Sequence, residues 1–382
     1  MVDFEFTQEQ LMIKEAARDF ADKELAKGAA ERDEKEQFPY EEIKKMAELG
    51  FMGMMVPPEH GGAGLDTVSY VLALEEISRG DASAGVIMSV NNSLVCWGIE
   101  KFGTDSQKEK YLKPLASGRM LGAFCLSEPE AGSDAVNQRT TAARDGDYYV
   151  INGTKNFITN GSNADVLLVM ATTDKTKGAR GVSAFIVEKN FPGVIVSKKE
   201  HKLGIRSSDT AQITFQDCRL PIENRIGDEG FGFKFAMMTL DGGRIGIASQ
   251  AVGIARAALD ASLKYVKERK AFDKLLYEFQ AIQFKLAEMH TVVEAAHLLT
   301  LNAALKKDHD ERFTKEAAMA KLFASKAAVD CALEAIQIHG GYGYLKDFPV
   351  ERYLRDAKIT EIYEGTSEIQ RIVIAREILD LK

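Results

Sequence analysis

Apolar residues recur at helical spacing through the first third of the chain, at strand spacing through the middle, and at helical spacing again to the end. From Phe6 to about Arg119 the pattern is helical. Ile13, Ala17, Phe20 and Glu24 mark one repeat, apolar at its first three positions, and Thr7 with Gln10 reads as a capping box ahead of it. A helix is predicted over Tyr40–Leu49, opened by Pro39 and stopped by Gly50. The turn Pro57–Gly62 separates it from another over Thr67–Ser78, and Asp105–Leu115 reads as a further short one.

From about Met120 to Gly227 the period changes to that of strands. Tyr148–Ile151 ahead of Asn152-Gly153, Val166–Met170, Val182–Val187 and Val194–Val196 are short β-rich runs, parted by Gly, Asn and Asp clusters that include Asp145-Gly146. Short strands without helices between them predict an antiparallel barrel or sandwich, not a parallel nucleotide-binding sheet. Beyond Phe231 the chain is Ala-rich and helical over Phe231–Arg269, Tyr277–Lys307, Lys315–Ile338 and Ser367–Leu379, segments that pack as an antiparallel bundle. The expected architecture is multidomain α+β: an N-terminal α-helical domain (1–119), a middle antiparallel β domain (120–227) and a C-terminal four-helix bundle (228–382).

Charge narrows the function. Lys and Arg number 49 against 57 Asp and Glu, a formal charge of -8, which argues against nucleic acid as a partner because phosphate backbones require a dominant basic face. A local Arg/Lys cluster can still hold a small polyanion. Cys96, Cys125, Cys218 and Cys331 show neither Cys-x-x-Cys pairing nor metal-ligand spacing, so no disulfide framework and no zinc are expected. His290 and His297 lack carboxylates at ligand spacing and read as surface or packing residues. The start of the chain carries no leader pattern, and no apolar run approaches membrane-spanning length. The expectation is a cytoplasmic protein with no membrane partner, or one of the mitochondrial matrix if a transit peptide has been removed.

No segment completes Gly-x-Gly-x-x-Gly, the P-loop, His-Glu-x-x-His or Gly-x-Ser-x-Gly. Five stretches remain, each with a plain structural reading. Ala123–Asp134 is a strand ending in a Gly-rich loop, and Gly153–Gly161 a strand with an aromatic among polar groups. Asp241-Gly242-Gly243-Arg244 weakens a helix by about 1 kcal/mol per glycine, which fits either a packing crossover or close approach of another group. Gln337–Tyr344 ends a helix at paired glycines. Tyr363–Glu368 opens the last helix, with Thr366 or Ser367 as its cap.

In this order and over the whole chain, these stretches resemble the acyl-CoA dehydrogenase family. The most specific parts are the Ser-Glu-Pro…Gly-Ser-Asp stretch, Asp-x-Gly-Arg, and Arg355–Thr366. Within the family the chain looks most like the short-chain, butyryl-CoA type. The resemblance implies noncovalent FAD between the β domain and the bundle. Phe124, Leu126, Ser127 and Ser133, with Phe157, Ile158 and Thr159, match positions lining the flavin and pantetheine region. Arg269, Phe272, Gln280, Gln337, Ile338, Gly340 and Gly341 match positions that hold the adenine dinucleotide, partly across a subunit interface. Thr366, Ser367 and Glu368 match a further FAD contact at a helix N-terminus. Ser133, Asp241, Arg244 and Gly365 match positions that contact an acyl-CoA substrate, and Glu364 matches the catalytic base.

The chemistry suits those residues. Forming an enoyl thioester removes an α-proton and a β-hydride, and a protein offers no hydride acceptor of its own. A positioned carboxylate takes the proton, and donors at the thioester oxygen, in the family a backbone N–H and a flavin hydroxyl, stabilise the developing charge. Some members carry the base at the position of Gly243, so here Glu364 has no competitor. In glutaryl-CoA dehydrogenases an arginine stands where this chain has Gly85, so a dicarboxylyl substrate is not expected. After Arg269-Lys270-Ala271-Phe272 the family places Gly and then Pro, whereas this chain has Asp273-Lys274-Leu275-Leu276, and the family's loop conformation does not carry over there. The resemblance further implies an electron-transfer flavoprotein as acceptor and a homotetramer. Alternatives are an oxidase, a branched or cyclic acyl specificity, enoyl-CoA reduction in an electron-bifurcating complex, and a catalytically silent scaffold.

Overall fold

The computed structural model describes residues 5–381. The reading of the first few residues as free of a leader falls partly on residues 1–4, outside the described residues. Helix α1 (Gln8–Phe20) begins as its sequence dictates: the Thr7 hydroxyl accepts from Gln10 N–H and the Gln10 side chain accepts from Thr7 N–H. A π-helical turn, Ala21–Leu25, carries it into α2 (Ala26–Lys35), followed by α3 (Tyr40–Glu48). Helix α4 (Thr67–Gly80) is capped by Asp66 and buried on nearly every side. It includes Glu75, held by Arg256 and His297 at 2.7 and 2.8 Å, and Glu76, held by Arg79 and Arg18 at 3.0 and 3.1 Å. Buried carboxylates persist only when paired in this way.

Next come α5 (Ala82–Ser89), a π-helical stretch Val90–Cys96, α6 (Trp97–Phe102), α7 (Asp105–Gln107) and α8 (Lys113–Ala116). The sequence pattern did not reveal the segment Ala82–Phe102. By length and composition this stretch is long and apolar enough to cross a membrane, contrary to expectation, but 94% of its most apolar window is buried inside the protein. Its apolar all-round character is that of a core helix.

The middle of the chain forms one eight-stranded sheet. Its strands are β1 (Gly122–Cys125), β2 (Thr141–Asp145), β3 (Tyr148–Thr159), β4 (Val166–Thr172), β5 (Val182–Glu188), β6 (Val194–Lys199), β7 (Thr210–Pro221) and β8 (Arg225–Ile226). The order is β6-β7-β3-β2-β4-β5-β8, with β1 added to β4. Most pairs are antiparallel as expected, but β1 and β2 each meet β4 in parallel. Asn152-Gly153 does not end a strand. β3 passes through it with a register shift against β7, the positive φ of Gly153 absorbing the irregularity. The whole of β7 escaped the pattern, because buried and exposed positions alternate irregularly along it.

Helix α9 (Gly232–Glu268) crosses the molecule, and the tight hairpin β9 (Lys270–Ala271) and β10 (Lys274–Leu275) turns the chain into α10 (Gln280–Asp308). Then come α11 (Thr314–His339), α12 (Val350–Thr360), which the pattern missed, and α13 (Ser367–Ile378). One apolar core joins Val86 and Leu94 of the N-terminal helices, Leu168 of the sheet, and Ile245, Ala328 and Ala357 of the bundle. The three parts therefore share a common interior, with further cores inside the N-terminal helices and under the sheet. The four cysteines are free and buried.

Candidate active site

The turn between α12 and α13 is built around one strained residue. Glu364 has φ 52°, left-handed for a non-glycine residue, and Gly365 follows at φ 91°. Thr366 caps α13 by accepting from Ile369 N–H at 3.3 Å, and Ser367 N–H closes the turn onto Glu361 C=O at 3.0 Å. Surrounding side chains over-determine the conformation. Lys321 donates to Gly365 C=O at 2.6 Å and Gln370 to the same oxygen at 2.8 Å, while Ser325 holds Thr360 C=O at 2.8 Å. Tyr363 is anchored through its hydroxyl to Gln250, which in turn donates to Ala82 C=O. Strain kept in place by its surroundings is a mark of a functional turn.

The Glu364 side chain points inward from a half-buried residue. Its Oε2 is enclosed and without a hydrogen-bond partner, and it lies where a Cβ at Gly243 would stand, beside Leu94. Desolvation pushes the carboxyl up to about 7, against the pull of Lys321 and Arg244. Neither cation makes an ion pair with it. Arg244 is committed to Asp241, which Thr314 also binds at 2.7 Å, and Lys321 to the Gly365 carbonyl. Among the described residues the Glu364 N–H has no acceptor, so it is available as a donor. Of the substrate positions read from sequence, Asp241, Arg244 and Gly365 thus gather around Glu364.

Ser133 stands apart, exposed in the loop after β1. That loop is stapled from below by Lys155, fully buried, which donates to Leu126 C=O (3.0 Å), Glu128 (2.8 Å) and Gln138 (3.0 Å). Glu128 also accepts from Arg139 and Thr140 N–H, and Asn156 N–H bonds Ser127 C=O. Phe124, Ser127 and Thr159 are half-buried. Leu126 and Ile158 send their side chains into the core, so only their backbones can face a ligand. Phe157, at φ 58°, holds its ring 64% exposed.

The third group lies at the far end of α11. A cleft of about 460 Å³ is lined by Tyr265, Arg269, Leu276, Ile338–Tyr342 and Leu345. The His339 ring stacks on Tyr265 at 4.1 Å, donates from Nδ1 to Ala335 C=O, and is pushed toward its neutral form by burial. Arg269 lies over Tyr342. Phe272, Gln280 and Gln337 are exposed nearby in sequence but do not line the cleft, and no residue of Phe124–Ser133 or Phe157–Thr159 reaches it. At Gly340 and Gly341 an added Cβ would meet nothing within 4 Å, so the backbone lies open to an approaching group. A cation, an aromatic face and bare backbone suit a dinucleotide's phosphates and ring. The residues fit a flavin nucleotide.

Sequence reading missed Lys321, Gln370, Gln250 and the Lys155–Glu128 staple. One signal was present for Lys321: a charge among Ala317, Ala318, Ala320 and Ala324 on the buried face of α11.

A desolvated carboxylate on an over-determined turn, inside a helical–β–helical frame, is an arrangement able to accept a proton from a weak acid. Family models for the N-terminal, middle and C-terminal domains of acyl-CoA dehydrogenases match residues 7–119, 123–218 and 230–379, and the chain belongs to that family. It is 54% identical over 375 residues to the mitochondrial short-chain specific acyl-CoA dehydrogenase of Rattus norvegicus, covering 98% of this chain and 91% of the relative. It superimposes on butyryl-CoA dehydrogenase from Megasphaera elsdenii with TM-score 0.97 and 48% identity, over 99% and 100% of the two chains. A chain in a structure describing the electron transferring flavoprotein of Acidaminococcus fermentans matches with TM-score 0.98 and 51% identity, again over 99% and 100%.

Proposed function

We propose that this protein oxidises short-chain acyl-CoA thioesters to trans-2-enoyl-CoA with FAD as cofactor and passes the electrons to an electron-transfer flavoprotein. The observation that carries this reading is the Glu364 carboxylate, desolvated, unpartnered and seated against Gly243. The family's flavin chemistry, the short-chain and butyryl-CoA relatives and the flavoprotein-associated neighbour support it.

Bound FAD supplies the hydride acceptor that side chains lack. Glu364 takes the α-proton at Oε2, the oxygen that no protein donor occupies. Its own N–H is the donor this chain offers to the thioester oxygen as enolate charge grows. Asp241 and Arg244, on α9 beside the base, contact the thiolester chain, and Ser133 its pantetheine portion. Phe124, Ser127, Phe157 and Thr159 cover the flavin, with backbone contributions from Leu126 and Ile158. Arg269, Phe272, Gln280 and Gln337–Gly341 hold the adenine dinucleotide, and Thr366, Ser367 and Glu368 offer it the positive end of α13.

Gly85 bears on the acyl group. As a glycine packed on Ser78, it supplies no cation to pair with a distal carboxylate, whose burial alone costs several kcal/mol. The domains at 1–119, 120–227 and 228–382 then divide the work: the first two close over the substrate and the third carries the base. Exposed Phe272, Phe284, Leu333, Tyr344 and Ile378 on the C-terminal part support a homotetramer whose neighbours complete the nucleotide site. The protein is proposed to work in the cytoplasm.

The test is anaerobic addition of acyl-CoAs to the yellow holoenzyme, followed by kcat/KM with one artificial acceptor. Butyryl-CoA should bleach the flavin and be preferred over octanoyl-, isovaleryl- and glutaryl-CoA. Preference for octanoyl- or glutaryl-CoA defeats the short-chain assignment, and a protein that binds no FAD defeats the whole.

A further inference from the structure

We propose that Lys321 is a positioning residue for the base: from α11 it clamps the Gly365 carbonyl and sets its ammonium within electrostatic reach of the Glu364 carboxylate without touching it. The inference rests on the reading of Glu364 as base.

The geometry is that of a two-point clamp. Lys321 and Ser325 lie one helical turn apart on the same face of α11. Ser325 holds Thr360 C=O at 2.8 Å where α12 ends, and Lys321 holds Gly365 C=O at 2.6 Å just past the base. The four residues between these anchors, 361 to 364, include the left-handed Glu364. Gln370 reinforces the far anchor from α13. Lys321 is fully buried, and a buried ammonium is costly unless something demands its charge.

Among the described residues no carboxylate forms an ion pair with it. A direct pair with Glu364 would occupy the oxygen that must reach the substrate, and contact with an opposite charge lowers a carboxyl by roughly 1–3 units. By donating to the neighbouring amide instead, Lys321 lends its charge at a distance. Oε2 stays bare, yet the ionised base is favoured over what burial alone would allow. The groups facing Glu364 are Lys321 from α11, Arg244 from α9 and Tyr70 from α4, with Tyr363 beside it in the turn. Arg244 also pulls on Glu364 but is paired with Asp241, which leaves Lys321 as the larger pull and the cation with no carboxylate in contact. The two titrations are coupled, because burial pushes Lys321 down to about 8 while Glu364 holds it up.

Three holoenzyme variants separate the charge from the clamp. Lys321→Gln keeps a donor for the carbonyl and loses the charge, Lys321→Arg keeps the charge, and Lys321→Met loses both. The pH dependence of kcat/KM is measured for each, with an infrared titration of the Glu364 carboxyl identified by its disappearance in Glu364→Gln. In Lys321→Gln both the acid limb and the infrared titration should move up by about one pH unit, a ~10-fold loss on the acid side that largely recovers at high pH. Lys321→Arg should stay close to the wild type, and Lys321→Met should also lower the plateau ~10-fold. A merely structural lysine would lower stability and flavin content without moving the titration. Acid limbs of the Gln and Met variants that superimpose on the wild type overturn the proposal, as does an Arg variant shifted as far as Gln. Should Lys321→Met fail to hold flavin, the Gln and Arg pair decides. Turnover that survives Glu364→Gln refutes the base assignment itself, whereas an inactive Glu364→Gln with an unshifted Lys321→Gln refutes the role of Lys321 alone.

Discussion

The carboxylate of Glu364 occupies the space that any side chain at Gly243 would need, although one residue lies in the turn between α12 and α13 and the other within α9. Glu364 and Gly243 are therefore one feature. Helix α9 gives up stability at Gly243, and the Glu364 carboxylate from the distant α12–α13 turn lies against its backbone there. Gly242, one residue earlier, meets only ordinary contacts at Ser93 and Lys307, so the requirement belongs to position 243.

Gly243→Ala should gain helix propensity and lose activity. The new methyl displaces Glu364 from its seat, and misplacement of a catalytic group by about 1 Å can cost ~10²-fold. Steady-state kinetics should show kcat down by at least ~10-fold with flavin content and melting temperature at or above the wild type. Gly242→Ala serves as the tolerant control, and equal losses in the two variants would mean that helix flexibility matters instead of the seat.

Activity should titrate with the base. Glu364 must be ionised to accept a proton, and burial holds it up at about 7. In the free enzyme kcat/KM should therefore fall below about pH 7, approaching tenfold per unit, and level off above it. Glu364→Gln should fold, retain FAD and lose at least ~10²-fold in turnover. An acid limb near pH 4.5 would place the base in water, not in a desolvated seat.

Asp273→Gly should strengthen cofactor retention. Phe272 and Asp273 are both left-handed, at φ 51° and 62°, in the two-residue turn between β9 and β10. Such a turn favours glycine, and Asp273 also sets a negative charge near the cleft proposed for the dinucleotide. The variant should release FAD more slowly in dilution or urea. Unchanged or faster release would show that the hairpin takes no part in holding it.

Asp356 makes stability depend on pH. Its buried carboxyl accepts from Ile205 N–H at 2.5 Å, with Arg352 4.0 Å away, and desolvation pushes it up from 3.8 to about 7. The native state thus binds this proton more tightly than the unfolded chain between about pH 4 and 7. The contribution is complete below pH 4 and is lost as pH rises through 7. Asp356→Asn, which keeps the acceptor, should lack that fall, so its melting temperature should gain on the wild type between pH 5 and 8. Parallel pH–stability curves would mean that Arg352 fully compensates the charge.

Much of this molecule was legible in the residues. The capping box at Thr7, the Ala-rich bundle, Thr366 at the start of α13 and the glycine after Glu364 are local signals whose physics lies within a few positions. Ala82–Phe102 escaped because a helix buried on all sides has no polar face to set its period, and β7 because its burial does not alternate cleanly. Lys321 and Lys155 escaped because a lysine is ordinarily a surface residue, and nothing local says that its partners, Gly365 C=O 44 positions away and Glu128 27 positions away, lie in the interior.

The sequence by itself determined the capped ends, the Ala-rich bundle helices and most strands of the middle domain, which depend on local propensities and spacings, and its resemblance to the family singled out Glu364 as the proposed base. Only the tertiary structure decided how strong that base is. The basicity of Glu364 comes from water excluded by packing against Gly243 and Leu94, opposed by Arg244 and Lys321 at distances set by α9 and α11. Desolvation and Coulomb interactions depend on what lies nearby in space, and the folded chain brings together residues more than a hundred positions apart.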